Sequence, residues 1–431
     1  MLLLNRKQRL SLVSFFFFYF LLFLYCSFNS ARDPGSAFFQ PRAGYQPVHS
    51  PKRIKESLEY LSAFNASSPG LELDPHATTT QNVSICVGIV TVRRPLIQTL
   101  DLVVGSLLDG LTSEQRSSLA LHVLFALTHP ADHPLYEHPW VANVVNRSLT
   151  YGWVNDAPLT SLRRLEMSQN YKKKSLIDYR LALQSCYDYT DAPWIMMLED
   201  DVLAQDAWYN HTMRSIQNME GWKNQGKIRD WLYLRLFYTE KFLGWNSEFW
   251  PVYLGWSVVV VLATAVVGIC CRRRVRPLQD ILSNRFLAIF CLLCMPLLIG
   301  LYFLAGRVTM RPMQPGIHLM NKHGCCSQAL VFPREKIPIV TNELMVVQDW
   351  KKLKAVDTVI EMVGNDNGFD RLALSPPLMQ HVGAASYKED KKKWNLDYSV
   401  GGAHGVWSME FEKAYEQARF GDGIPNTLWL N

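Results

Sequence analysis

The sequence predicts an α/β protein whose mostly parallel sheet is interrupted by a membrane-spanning helical hairpin and preceded by a membrane anchor. Three observations carry that expectation. From residue 84 onward, short apolar runs alternate with segments of helical spacing. Three apolar stretches, residues 10–28, 251–271 and 286–305, are each about twenty residues long, enough for a helix to cross a roughly 30 Å hydrocarbon core. One apolar run, PWIMMLEDDV at 193–202, ends abruptly in three acids.

The membrane segments set the topology. The chain has 431 residues, 48% of them hydrophobic, and a net charge of +6. Much of that charge sits in clusters flanking apolar stretches: Arg6-Lys7 with Arg9, and Arg272-Arg273-Arg274 with Arg276. These read as topology signals, and no basic face on a soluble domain points to nucleic acid. The first stretch competes with a secretory signal peptide. It is longer than a usual h-region, and the best cleavage point, after Ala31, has Asn29 at −3. It is read as an uncleaved anchor. The connector RRRVRPLQDILSNR (272–285) is too short for a domain and carries the positive charge, which places it and the N-terminus in the cytosol. Residues 29–250 and 306–431 then share the far side.

Further signals agree with a lumenal far side. FLGWNSEFWPVYLGW fits an interfacial aromatic belt. Glycosylation sequons begin at Asn65, Asn82, Asn146 and Asn210, all in the segment placed outside the cytosol. Three spans with large polar segments suit a membrane-anchored lumenal protein and not a polytopic transporter. Of nine cysteines, Cys26, Cys270, Cys271, Cys291 and Cys294 lie in or beside the spans. Cys86, Cys186, Cys325 and Cys326 remain for disulfides, with three connectivities open; the vicinal pair is expected to find separate partners. No CxxC or paired CxxxH spacing suggests zinc.

The lumenal elements follow in order. PKRIKESLEYLSAF is a short amphipathic helix within a Pro-, Ser- and Asn-rich stalk (29–81). SICVGIVTV (84–92) is a buried strand ending at Arg93-Arg94-Pro95, and residues 94–111 have helical spacing. LALHVLFALT (119–128) is the next strand, with the polar turn HPADHP after it, and VANVVN is a short third strand. Residues 170–189 form a helix, WIMML a strand, and LAQDAWYNHTMRSIQNM another helix. DWLYLRLFY (230–238) is a further strand. This β-α-β-β-α-β order implies a mostly parallel sheet.

In such sheets ligands bind beyond the carboxyl ends of the strands, where both VTVRRP and MLEDDV place polar residues. Glu199-Asp200-Asp201 offers hard oxygen ligands suited to Mg or Mn. If the strand stays extended, alternation puts Glu199 and Asp201 on one side. A divalent ion there would grip a diphosphate and neutralise the charge of a leaving group. Lys172-Lys173-Lys174 reads as a solvated helix start, with Lys174 and Asp178 a surface i,i+4 pair; a phosphate contact is the alternative.

The acidic motif at this position resembles that of GT-A glycosyltransferases, which use nucleotide-sugar donors. LSPPLMQHVGAAS (374–386) is similar to the QHVG-x-x-S signature of N-acetylglucosaminyltransferase IV relatives, and IVTVRRP and LEDDV fit the same group. Paired spans inside the catalytic domain resemble the Golgi N-acetylgalactosaminyltransferases that modify the mannose core of GPI anchors. The resemblance covers most of residues 84–386. It implies a GT-A, Rossmann-like domain running from 82–250 to 306–386, interrupted by the spans, with residues 1–9 a cytosolic tail and 387–431 an extension that matches nothing recognised.

The resemblance also implies roles. Asp201 is the first ligand of Mn2+ or Mg2+ and His381 the second, with Asp200, Glu199, Thr91 and Arg93 around the nucleotide of a UDP-sugar. Arg94 can equally be a surface residue. Inverting transfer needs a base for the acceptor hydroxyl. Glu343, Asp349, Asp357 and Glu361 are candidates, and Asp349, beside Trp350, is the choice. The implied acceptor is the GPI glycan of an anchored protein, the implied place the Golgi membrane, and the donor UDP-N-acetylgalactosamine. The rival readings are an N-acetylglucosaminyltransferase of N-glycans and a non-catalytic lumenal binding protein.

Overall fold

The computed structural model describes residues 4–64, 82–94, 97–153, 159–320, 326–349, 353–383, 406–418 and 427–429. The chain forms two compact units, Met1–Gln46 with Glu240–Met313 and Pro47–Thr239 with Gln314–Asn431.

In the first unit three helices are long and apolar enough to cross a membrane. Arg6–Asn29 and Trp250–Arg274 are continuous helices. The third, Asn284–Leu304, passes through a π turn at Phe290–Cys294. Pro296 follows that turn and has no N–H to donate, so the regular ladder cannot run through it. The Gln8 side-chain amide donates to the Asp280 and Ile281 carbonyls at 3.2 and 3.0 Å. The N-terminus and the 272–285 connector therefore lie at one end of this bundle.

The second unit is an α/β/α sandwich. Its elements are α1 (Ser50–Ser62), β1 (Ile85–Thr91), α2 (Leu100–Leu108), β2 (Leu119–Phe125), α3 (Pro139–Val144), β3 (Arg147–Leu149), α4 (Tyr171–Tyr189), β4 (Trp194–Glu199), β5 (Val202–Ala204), α5 (Trp208–Asn224) and β6 (Trp231–Arg235). After the inserted helices come β7 (Gly316–Leu319), β8 (Ala329–Pro333), α6 (Ile337–Val346), α7 (Val356–Asp366), β9 (Asp370–Ser375), β10 (Met379–His381), α8 (Met409–Ala418) and β11 (Leu428–Trp429). Nine strands form one sheet in the order β11-β7-β9-β6-β8-β4-β1-β2-β3; β5 and β10 form a separate two-stranded ribbon. The sheet is mostly parallel, with β8 reversed against β4 and β6, and β7 against β9. Alternation along β1 explains the two cores: Ile85, Val87 and Ile89 join α2, α3 and α5, while Cys86 joins α4, α6 and α7.

Several elements differ from expectation for physical reasons. VANVVN is mostly helical: Pro139 starts α3, and Trp140, Val141 and Val144 bury one face of it. The third strand begins only after Asn146, whose Oδ1 accepts the Leu121 N–H at 2.9 Å. The helix after Asp201 is delayed to Trp208, because Val202–Ala204 pairs with β10. Residues 50–62, expected in a stalk, pack on α2 so closely that a Cβ at Gly105 would overlap the Ser57 carbonyl. Arg53, fully buried, donates to the Ser106 and Ala204 carbonyls at 2.7 and 3.0 Å and pairs with Asp206 at 3.0 Å and with Asp109. The C-terminal extension also belongs to this unit, through α8 and the pairing of β11 with β7.

Cys86 and Cys186 form a disulfide between β1 and α4. Neither is left for Cys325 or Cys326, which corrects the expectation that the vicinal pair divides between them. Cys326 is disulfide-bonded, and Cys325 lies outside the described residues. The five cysteines in or beside the spans are free. Among the described residues, two groups have the spacing of metal ligands, and neither is available. In the Cys86–His122–Cys186 group the two sulfurs are in the bridge, and Glu56, Asp109 and Asp206 surround Arg53.

His122 generates a test of this core. Burial, helped by Arg147, pushes its imidazole down to about 3. It stays neutral in the fold, but in the unfolded chain it takes a proton below about pH 6.5. Its contribution is fully present above pH 6.5 and falls as pH drops toward 3, by about 1.4 kcal/mol per unit. Thermal unfolding of wild type and His122→Asn across pH 3–7 should show a shallower acid decline in the variant. Parallel curves would contradict the assignment.

Candidate active site

The acids at the end of β4 do not continue the strand. β4 stops at Glu199, and Asp200-Asp201 form the turn into β5. That turn breaks the alternation expected to put Glu199 and Asp201 together. Glu199 instead accepts the Ser327 hydroxyl at 3.0 Å. Asp200 and Asp201, both 4% exposed, converge on Arg94.

Arg94 comes from the segment after β1, which is parallel to β4 and in register with it, Val90 opposite Glu199. Its guanidinium donates to Asp200 Oδ1 through Nε at 3.2 Å and also through Nη2, and lies 2.8 Å from Asp201 Oδ2. The reading of Arg94 as a surface residue is corrected: its side chain is 9% exposed. Arg93 is exposed. A sequence with two adjacent arginines does not disclose which one turns inward.

Thr91 is buried and donates to Asp200 Oδ2 at 2.8 Å, and the Val92 N–H reaches the same oxygen at 3.3 Å. Thr99 donates to the Asp200 carbonyl. His133, from the turn after β2, contacts Thr91 Oγ1 through Nε2 at 3.0 Å, while its Nδ1 accepts the Leu135 N–H at 3.2 Å. That second bond places the proton on Nε2 and makes His133 a donor to Thr91. Asp200 is thus saturated by protein donors. HPADHP has the composition of a plain polar turn, and nothing local in it points to this role.

His381 arrives from the other direction. The antiparallel β5–β10 ribbon pairs it with Val202, and the Val382 N–H donates to the Asp201 carbonyl at 2.8 Å. Its Nε2 lies 3.2 Å from Asp201 Oδ2. Gly383 completes the turn: a Cβ there would overlap the Asp201 carboxylate. In QHVG, then, the glycine leaves room for the acid and the histidine faces it. Burial alone would raise the Asp201 carboxyl, but His381 and Arg94 outweigh it and hold the group well below the usual range. Burial depresses His381 and the Asp201 charge overcomes that, raising it. The ion pairs likewise raise Arg94 against the cost of burial.

One atom has no use inside this network. Asp201 Oδ1 is buried without a hydrogen-bond partner among the described residues. Such an orphan is costly unless a cation or donor meets it. His381 pairs with the other oxygen, Oδ2, and once the proton it shares there is released the two side chains would offer one hard oxygen and one nitrogen, a set compatible with Mn2+ or Mg2+ when other ligands come from a diphosphate and water.

The remaining predicted residues are dispersed. Asp349 ends the turn Val347–Asp349 after α6, and its side chain lies outside the described residues. Glu361 is buried between Arg371, 2.6 Å away, and Arg235, 3.1 Å away, so both of its oxygens are already engaged. Asp357 lies in the first turn of α7, and Glu343 lies half-buried on α6. The surface reading of Lys174 is corrected: it is buried, donating to the Ala126 carbonyl at 2.6 Å and to Asp178 at 3.0 Å. Asn82 and Asn210 are exposed and Asn146 half-buried; Asn65 lies outside the described residues.

Because Arg94 pairs with two buried carboxylates, Arg94→Met is expected to cost about 3–5 kcal/mol of stability. Arg94→Lys, keeping the charge but losing the fork, should recover part of it. Chemical denaturation of the three proteins checks this, and equal midpoints for wild type and Arg94→Met would contradict it.

A comparison with curated proteins found no match. Residues 85–380 match the family described as GPI-N-acetylgalactosamine transferase PGAP4. The match begins at the first residue of β1, takes in the acidic turn and stops one residue before His381. With well over half the chain matched, and a mostly parallel α/β sheet beside three helices suited to a membrane, this chain belongs to the GPI-N-acetylgalactosamine transferase family and is a glycosyltransferase.

Proposed function

We propose that the chain transfers N-acetylgalactosamine from UDP-N-acetylgalactosamine to the mannose core of GPI anchors in the Golgi lumen, in a reaction dependent on Mn2+ or Mg2+. The observation that carries this reading is the buried Asp201 carboxylate, one oxygen on Arg94 and His381 and the other without a partner. Asp201 and His381 would hold the metal. When bound, the ion supplies positive charge to the diphosphate as it leaves the sugar.

The chain's own residues do the rest. Thr91, backed by His133, and the Val92 N–H fix Asp200, and Asp200 in turn orients Arg94 against Asp201. Glu199 and the exposed Arg93 are assigned to the donor. Asp349 is assigned as the base that takes the acceptor hydroxyl proton in an inverting displacement. Glu361 is set aside because two arginines hold its charge.

Location rests on separate support. The Cys86–Cys186 bridge and the sequons, with Asn82 and Asn210 exposed, suit an oxidising lumen. The basic connector and basic N-terminus suit the cytosol. GPI glycans lie close to a bilayer, and the catalytic sequence is tied to its membrane helices on both sides of the insertion, at residues 239–240 and 313–314.

The test is turnover of a panel of UDP-sugars by the detergent-purified protein, with Mn2+ titrated, beside Asp201→Asn. Selective, Mn-dependent use of UDP-N-acetylgalactosamine, reduced at least about 100-fold in the variant, is expected. Selective turnover of UDP-N-acetylglucosamine would overturn the donor, and full activity in chelator would overturn the metal.

A further inference from the structure

We propose that the C-terminal segment is part of the active-site scaffold and that Glu412 is a positioning residue for His381, acting through Gln380. The inference rests on the reading of Asp201 and His381 as the metal pair. It concerns residues beyond the family match, which ends at Gln380.

The ribbon that brings His381 to Asp201 is small. It has three residues in each strand and is separate from the main sheet. Its geometry therefore depends on what grips it from outside. On the β10 side the grip is Gln380, which is fully buried. Its Nε2 donates to the Ser408 carbonyl at 2.7 Å and to Glu412 Oε1 at 2.9 Å. Its Oε1 accepts the Ser408 N–H at 2.9 Å and the N–H of His381 itself at 3.2 Å. Both donors and both acceptor positions of the amide are used, so it has one orientation, and that orientation holds the His381 backbone.

Glu412, 5% exposed on α8, is held just as fully. Its Oε2 accepts the N–H groups of Val48, His49 and Ser50 at 2.7, 2.7 and 3.1 Å, and its Oε1 accepts the Ser50 hydroxyl. These donors sit at the N-terminus of the 13-residue helix α1, where backbone N–H groups and the helix dipole favour an anion. The same helix grips the other strand. Arg53 Nε donates to the Ala204 carbonyl at the end of β5, and Ser106 on α2 accepts the Ala204 N–H at 2.9 Å. One helix thus clamps both strands, through Arg53 on the side that follows Asp201 and through Glu412 on the side that carries His381. A glutamine at 412 would present an amide N–H to the Gln380 and Ser50 donors and loosen the β10 side.

Glu412→Gln tests this in the full-length protein with two readouts. Hydrogen exchange, measured without metal, should accelerate at residues 379–383 while β1 and β4 stay protected. Mn2+ binding, followed by electron paramagnetic resonance without donor, should weaken by about 10-fold or more, with turnover at saturating Mn2+ largely kept. Unchanged exchange at β10, exchange raised equally in β1 and β4, or unaltered Mn2+ affinity in the folded variant would overturn the proposal. Wild type that binds no Mn2+ would overturn the metal reading alone, and the exchange data would still judge the clamp. If Glu412→Gln does not fold, Glu412→Asp, which withdraws the carboxylate by one methylene, carries the same expectations and the same overturning results.

Discussion

Two carboxylates buried side by side are the constraint around which the catalytic unit is arranged. Like charges in a low-dielectric setting repel, and each pays to leave water. Asp200 and Asp201 remain there because Arg94 bonds both, and because Thr91, itself held by His133, and the Val92 N–H complete the shell around Asp200. Those partners come from two places in the chain, the end of β1 and the turn after β2, and meet the acids at the turn after β4. The parallel register of β1 with β2 and β4 brings these ends to one edge. The hydrophobic sandwich thus serves to hold an arrangement of charge that no local segment would sustain.

The second demand is a partner for Asp201 from the far end of the sequence. β10 follows β9, lies outside the main sheet and pairs with β5. A ribbon so short is held by side chains more than by its ladder. Arg53, Gln380 and Glu412 are buried polar groups whose hydrogen-bonding capacity is taken up there, so α1 and α8, from opposite ends of the unit's sequence, share in one site.

The membrane helices interrupt this unit between β6 and β7 without dividing the sheet. β7 returns to pair with β9, and β9 pairs with β6, so the strands flanking the insertion are joined through a later one. Tertiary pairing restores what the insertion separates in sequence. The spans themselves were legible in the sequence by length alone, because a bilayer imposes a minimum apolar length that no soluble helix must meet.

Sequence by itself determined the class of fold, the three spans and the position of the acidic turn at a strand end. These depend on local periodicity and on the apolar-to-polar switch at the edge of a buried sheet. It also marked QHVG, through a resemblance, without a reason for each residue. Only the tertiary structure decided that Arg94 and not Arg93 turns inward, that Asp200 and not Glu199 accompanies Asp201, and that VANVVN begins as a helix. It also decided that Lys174 is buried and that the segments outside the expected domain, α1 and α8, belong to it. Each of those outcomes depends on a partner far away in the chain. Desolvation makes a buried charge intolerable without such a partner, and no local pattern records where the partner will come from.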